Sequence, residues 1–114
     1  MAEISKLLED CRWVIEAQDD MVISYEIPFM DIEPGPPFCP FDYLQVEKWE
    51  DDDWVIQIDP SFNWERYCGA MRPMGFIETN SNKVRFTFVS DDTEHGRGVA
   101  VNWKTYKKVK TKII

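Results

Sequence analysis

The segment FCPFDYLQVEKW, residues 38 to 49, combines a cysteine, an aspartate and an alternating pattern of apolar and polar residues. The apolar residues Leu44 and Val46 alternate with polar ones, which is typical of a half-buried β-strand. Asp42 stands at the mouth of this strand, three residues after Cys39. The segment therefore raises two questions: what the carboxylate binds, and where the partner of the cysteine lies.

Similar strand patterns occur along most of the chain. In the clearest of them, KVRFTFV, the side chains of Val84, Phe86 and Phe88 are predicted to point inward, and those of Arg85 and Thr87 outward. The predicted strands cover residues 13–17, 21–29, 41–49, 54–58, 83–89 and 98–103. Short strands separated by Pro, Gly, Asn and Asp predict an all-β sandwich. The acidic run at residues 50–53 repels itself and predicts an exposed turn.

The length and charge of the chain argue against several classes of function. A chain of 114 residues forms one domain, and it has no apolar stretch near the ~20 residues that span a bilayer. The net charge is −8, but the last eleven residues hold five Lys and no acid, so the first 103 carry eight basic and 21 acidic groups. This acidic body argues against nucleic-acid binding and favours cations or basic protein partners. The basic tail is a solvated end or a contact for a polyanion.

The sequence carries no motif of a catalytic site. The three cysteines do not form a CxxC pair, and His95 has no cysteine neighbour, so zinc ligation and a Cys/His pair lack support. No nucleophile elbow or phosphate-binding loop occurs, and we predict that the chain is not an enzyme. The first ten residues are the one predicted helix, through Ile4, Leu7 and Leu8. They do not form a signal peptide, so we expect that the chain is cytosolic or that its natural start has been removed or replaced.

Six motifs together suggest a family. In chain order they are CRWVIEA at 11–17, FMDIE at 29–33, CPFDYLQV at 39–46, RYCG at 66–69, SNKVRFTFVSDD at 81–92 and GRGVAV at 96–101. They resemble a CUB domain, an antiparallel β-sandwich of the jelly-roll type found in secreted proteins. The resemblance covers residues 11–106. It leaves residues 1–10 as a segment outside the family and 107–114 as a basic tail, and it implies an extracellular location.

The resemblance also implies a cysteine pairing. The family usually has two disulfides, and Cys39 and Cys68 match its second pair. Cys11 matches the second cysteine of the first pair, whose partner would lie upstream in an N-terminal strand. Since residues 1–10 contain no cysteine, the first strand and first disulfide are expected to be incomplete, with Cys11 an unpaired thiol. A disulfide between two chains is the alternative.

Many CUB domains hold one calcium ion at one end of the sandwich. The carboxylates that match this site are Glu33, Asp42 and Asp91, and backbone carbonyls near Asp92 and Thr93 could complete the shell. Calcium takes 6 to 8 oxygen ligands, so this chemistry suits the ion. Here the spacing from the Glu to the first Asp is nine residues, one more than the family pattern. The alternative is an acidic loop end in which an Asp caps backbone N–H groups.

The function that follows from the resemblance is protein binding. A Lys or Arg of a partner docks against the calcium ligands Glu33, Asp42 and Asp91, and Phe41 flanks its stem. The alternative is a calcium-independent, single-domain adhesin that binds carbohydrate or a polyanion through the tail and exposed Trp residues. The Trp-rich insert at 49–64 either contacts a basic protein or forms a wide hairpin whose rings pack back onto the sheet.

Overall fold

Eight β-strands make up the regular structure of the residues that the structure describes. The computed structural model describes residues 2–4, 10–32, 39, 42–59, 65–89 and 98–108. The strands are β1 (Ala2–Ile4), β2 (Asp10–Glu16), β3 (Met21–Asp31), β4 (Tyr43–Glu50), β5 (Asp53–Ile56), β6 (Ile77–Glu78), β7 (Lys83–Val89) and β8 (Gly98–Lys107). Within these ranges, no helix has the length and hydropathy needed to cross a membrane.

The strands form two four-stranded antiparallel sheets. The first sheet has the order β1-β8-β3-β6 and the second the order β2-β7-β4-β5. The predicted antiparallel β-sandwich is therefore confirmed. Every pair of neighbouring strands except β4 and β5 is distant in sequence, so most contacts join residues far apart in the chain, as in other sandwich folds.

The core lies between the two sheets. Val84, Phe86 and Phe88 of β7 are buried there, as their alternation predicts. The ring of Tyr25 on β3 meets that of Phe86 edge to face, with centroids 5.6 Å apart. From the edge strand β2, Cys11, Trp13 and Ile15 pack against this core, while Arg12, Val14 and Glu16 are exposed.

The turn between β4 and β5 is tight. Glu50 pairs with Asp53, and the two residues between them, Asp51 and Asp52, have φ values of 53° and 61°. Two successive left-handed residues are the geometry of a type I′ hairpin, and Asp tolerates it. The predicted acidic turn is confirmed, but the hairpin is not wide.

The predicted helix in residues 1–10 is wrong where the structure describes them. Ala2–Ile4 form a strand, with Ala2 opposite Val101 and Ile4 opposite Val99 of β8. A ten-residue helix is marginal in water, whereas pairing with a preformed sheet edge satisfies backbone groups at once. The short strand β6 was also missed, because two residues carry no periodicity.

Candidate metal centre and its surroundings

Asp42 is the one predicted calcium ligand that lies in the described part of the chain. It immediately precedes β4, and its relative exposure is 0%. The other predicted ligands, Glu33 and Asp91, lie outside the described residues, as do Phe41 and the carbonyls near Asp92 and Thr93. Whether these groups converge on Asp42 therefore stays a prediction.

The strands next to the three predicted ligands, Glu33, Asp42 and Asp91, are described, and their pairing is known. Asp31, near the end of β3, pairs with Gly98, the first residue of β8. In the other sheet, Tyr43 at the start of β4 pairs with Val89 at the end of β7. In the sequence, the three predicted ligands thus follow the end of β3, precede the start of β4 and follow the end of β7.

A segment around Tyr67 joins these ends of the two sheets. The backbone N–H of Leu44 donates to the carbonyl of Tyr67, and that of Tyr67 donates back, both at 2.9 Å. Two residues later, the carbonyl of Gly69 accepts from the N–H of Ile32 at 3.2 Å. The end of β3 and the start of β4 therefore lie at the same end of the sandwich.

The disulfide holds this end covalently. Cys39 and Cys68 are bonded, with their Cα atoms 5.7 Å apart, and both side chains are buried. The predicted pairing is confirmed. Cys11, half-buried on β2, is not bonded to either of the other two cysteines of the chain. The bond fixes the chain three residues before Asp42 against the segment that pairs with Leu44.

Because Asp42 is buried, its carboxylate needs compensating groups nearby. A carboxylate removed from water is unstable unless hydrogen bonds or a cation compensate it. A hard oxygen donor in such a position suits calcium, and it equally suits backbone N–H donors. In the part of the chain that the structure describes, no three His, Cys, Asp or Glu side chains form a group that could hold a metal ion. Completing the site requires Glu33 and Asp91.

A second buried carboxylate, Asp59, escaped the sequence analysis. Its relative exposure is also 0%. The hydroxyl of Tyr67 donates to its Oδ2 at 2.6 Å, and the hydroxyls of Tyr67 and Tyr25 are 3.0 Å apart. Since the proton of Tyr67 points to Asp59, Tyr25 donates to the oxygen of Tyr67. Asp59 stands before a proline at a strand end, which in the sequence indicates only a turn.

Burial changes the ionisation of both tyrosines. It raises the pKa of Tyr25 and of Tyr67 well above the usual value, because the phenolate would lose its hydration. The proximity of Asp59 acts in the same direction on both. The two hydroxyls therefore remain protonated at neutral pH and serve as hydrogen-bond donors.

The Trp residues at the start of the insert lie on the outer face of the second sheet. Trp49 and Trp54 oppose each other on β4 and β5, with ring centroids 5.2 Å apart in an edge-to-face arrangement. The Nζ of Lys83 lies 4.5 Å from the ring of Trp49, and the guanidinium of Arg85 lies 4.4 Å from that of Trp54. The chain's own cations thus contact both rings. Trp64 lies outside the described residues.

Comparison with known proteins agrees with this architecture. The family model described as CUB domain matches residues 5–103. Exoskeleton protein RP43 of Riftia pachyptila is 29% identical over 89 residues, which cover 77% of this chain and 20% of that protein. The chain spans a fifth or less of the curated relatives that it matches.

Two solved structures share the fold. The CUB1-EGF-CUB2 domain of human MASP-1/3 superimposes with a TM-score of 0.66 at 23% identity, over 85% of this chain and 33% of that one. The MASP-1 CUB2 domain bound to Ca2+ superimposes with a TM-score of 0.62 at 25% identity, over 83% of this chain and 76% of that one. The second of these structures bears directly on the calcium prediction.

Proposed function

This chain belongs to the CUB domain family, and we propose that it is a non-catalytic, extracellular protein-binding module whose contact depends on calcium. CUB domains are extracellular interaction modules and are generally non-catalytic. The module comprises residues 11–106, with residues 1–10 and the basic tail 107–114 as flanking segments.

The observation that carries the calcium proposal is the complete burial of Asp42 at the disulfide-bonded end of the sandwich. A buried carboxylate at this point needs a compensating charge or donor set. The similarity to a CUB2 domain bound to Ca2+ supports an ion rather than backbone groups alone. In the proposed site, Glu33, Asp42 and Asp91 hold the calcium, together with carbonyls near Asp92 and Thr93.

The proposed partner contact uses the same carboxylates. A calcium ion bound by three acids leaves carboxylate oxygens that accept hydrogen bonds from a Lys or Arg of the partner. Such a charge-assisted bond is stronger than a neutral one and gives a modest interface a single anchor. The net charge of −8 favours the approach of a basic partner surface. Phe41 flanks the aliphatic stem of the incoming residue.

Calcium titration by calorimetry on the oxidised protein tests the first half of this proposal. We expect saturable 1:1 binding by the wild type and none by Asp42→Asn. Asp59→Asn is the matched control, because Asp59 is equally buried but bonds Tyr67. Asp52→Asn, on the exposed turn, controls for the loss of one charge. Equal weakening in all three variants, or no binding by the wild type, would contradict the metal site.

Binding of a lysine-containing peptide tests the proposed partner contact. Its affinity is measured in excess calcium and in excess chelator, with an acetyl-lysine version of the same peptide as control. We expect binding only by the unmodified peptide and only with calcium. Binding that is unchanged in chelator would refute the shared use of the carboxylates, even if calcium itself binds.

A further inference from the structure

The strand β5 forms an edge of the second sheet that differs from the other edges. The two described sheets have four edge strands, β1, β6, β2 and β5. The first three contain charged residues along their length: Glu3 in β1, Glu78 in β6, and Asp10, Arg12 and Glu16 in β2. In β5 the one charged residue is Asp53 at the turn, and residues 54–58 contain none. Since charged side chains on an edge discourage pairing with another chain, β5 is the edge that opposes such pairing least.

The register of the β4–β5 hairpin sets the direction of the backbone groups of β5. The N–H of Gln57 donates to the carbonyl of Val46 at 2.8 Å, in register with the pairs of the hairpin. In an antiparallel pair, the backbone groups of alternate residues point to the same side. Those of Gln57 and Val55 therefore face β4, whereas those of Trp54 and Ile56 point away from it. Among the described residues, the N–H and the carbonyl of Ile56 have no hydrogen-bond partner.

A local hydrogen bond agrees with this direction. The N–H of Trp54 donates to Oδ1 of Asp53, the preceding residue, at 2.8 Å. A backbone N–H that already met a neighbouring strand would not need this side-chain acceptor. The free donor and acceptor of the edge are thus centred on Ile56. An extended segment of another chain matches them, because each of its residues can both donate and accept.

Apolar side chains flank this edge on both faces of the strand. Trp54 and Ile56, both partly exposed, point to one face, and Val55, which is 41% exposed, points to the other. Ile58, two residues beyond Ile56, is 46% exposed. A strand added to the edge would cover these side chains, which favours apolar residues in that strand.

The turn next to this edge gives the charge of the occupant. Residues 50–53, one Glu and three Asp, are all exposed. An antiparallel strand that passes Ile56 and then Trp54 reaches this turn, where a Lys or Arg would be attracted. A second copy of this chain, paired about Ile56, would place Asp59 opposite Asp53 and would bring a net charge of −8. Charge therefore favours a basic partner segment over a second copy.

We propose that β5 binds an extended segment of a partner protein as an added antiparallel strand. Apolar residues of this segment lie opposite Ile56, Val55 and Trp54, and a Lys or Arg that follows them lies beside the acidic turn. Main-chain hydrogen bonds supply affinity in such complexes, and the alternate side chains supply specificity. The site lies at the other end of β4 from Asp42. It uses none of the proposed calcium ligands and does not rest on the proposed function.

Binding of the acetylated peptide Thr-Val-Thr-Val-Thr-Lys-Lys, in excess chelator, tests the proposal. One control peptide is N-methylated at each Thr and Val, which removes the backbone donors at constant charge, and the other has Glu in place of both Lys. The readouts are amide chemical shifts and the hydrogen exchange of the Ile56 amide. We expect this amide to exchange fast in the free protein and about tenfold more slowly with saturating peptide. Each control peptide should bind about tenfold more weakly.

Three outcomes of the peptide experiment would overturn the proposal. Absence of binding at millimolar peptide would show that the edge takes no strand. Equal binding of the N-methylated peptide would refute pairing through the backbone. Equal binding of the Glu peptide would refute the basic character of the partner segment.

Variants of β5 locate the site. Ile56→Pro removes the outward N–H but no bond to β4, so it should weaken binding about tenfold with little change in the urea midpoint. Ile56→Val is the matched control, because it keeps the backbone, and should bind within about twofold. Asp51→Asn combined with Asp52→Asn keeps the left-handed turn, since Asn also tolerates positive φ, and should weaken binding about tenfold. Full affinity in the proline variant or in the double variant would refute the assignment.

Sedimentation of the protein without peptide tests the alternative occupant. We expect a monomer for the wild type at the concentrations used for binding. A wild-type dimer that is lost in Ile56→Pro would assign the edge to a second copy of the chain, and would overturn the proposed partner.

Discussion

Asp42 and Asp59 are equally buried carboxylates in very different surroundings. Asp59 accepts a hydrogen bond from the hydroxyl of Tyr67, which in turn accepts one from Tyr25, two residues of the sandwich interior. Asp42 lies at the disulfide-bonded end of the sandwich, three residues after Cys39. Burial alone therefore does not indicate a metal site. The proposed calcium role of Asp42 therefore rests on its position in the family motif, and the proposed structural role of Asp59 rests on its bond to Tyr67.

The largest expected effect comes from the disulfide, which joins the two regions. Cys39 stands three residues before Asp42, and Cys68 directly follows Tyr67. Replacing both with Ala should lower the free energy of unfolding by about 3–4 kcal/mol, given a sequence separation of 29. Denaturant unfolding in chelator measures this loss. Cys11→Ala is the control and should cost much less, because that thiol is unpaired.

Calcium should stabilise the protein through Asp42 and not through Asp59. At a free concentration of 100 times Kd, a ligand that binds only the folded state adds about 2.7 kcal/mol. We expect this increment in the wild type and in Asp59→Asn, although the latter starts from a lower stability. It should be absent from Asp42→Asn. Thermal unfolding with and without calcium distinguishes these outcomes, and an increment that survives in Asp42→Asn would remove the difference between the two carboxylates.

Replacing Tyr67 or Tyr25 with Phe should lower the free energy of unfolding by different amounts. Tyr67→Phe removes the donor to Asp59 and the acceptor for Tyr25, and should cost about 2 kcal/mol in the free energy of unfolding. Tyr25→Phe removes only the terminal donor and should cost about 1 kcal/mol. Neither change should alter calcium affinity. If the two costs were equal, the direction of the hydrogen bonds assigned to the chain would be wrong.

A loss of stability at high pH is also expected. Burial raises the pKa of Tyr25 and Tyr67 in the folded state, whereas in the unfolded chain both titrate near pH 10. Their contribution is complete below pH 10 and is lost as the pH rises further, because the unfolded state releases its protons first. Each tyrosine should add a slope of up to about 1.4 kcal/mol per pH unit. Urea unfolding from pH 9 to 11 should show a smaller slope in Tyr67→Phe.

Several features of the fold were readable in the sequence because they depend on local periodicity. The alternation in residues 83–89 predicted the buried face of β7, and the acidic run at 50–53 predicted the hairpin turn. The predicted helix failed because three apolar residues at helical spacing cannot outweigh an available sheet edge. Thr87 was predicted to point outward, and it does, but the side chains around it leave it only 8% exposed.

The candidate site residues also differ in whether the sequence could predict them. Asp42 could be singled out because it stands beside Cys39 in a motif, and the disulfide partner followed from the family pattern. The hydrogen bonds from Tyr25 to Tyr67 and from Tyr67 to Asp59 could not be predicted. Tyr67 is 8 residues from Asp59 and 42 from Tyr25, and no local pattern records contacts over such separations. The row that Arg12, Thr87 and Gln45 form across the second sheet could not be predicted either, since it combines residues of three strands.

The sequence by itself thus determined the strand faces, the turn and the acidic character of this CUB domain, whereas the disulfide pairing was implied by the family resemblance. Side-chain alternation and residue chemistry are properties of short segments, so they can be read before folding. The tertiary structure decided which distant groups meet: the carboxylate of Asp59 and the hydroxyl that donates to it, the cations that contact Trp49 and Trp54, and the cross-strand row of Arg12, Thr87 and Gln45. Those contacts depend on cross-strand register and sheet packing, which involve the whole chain at once.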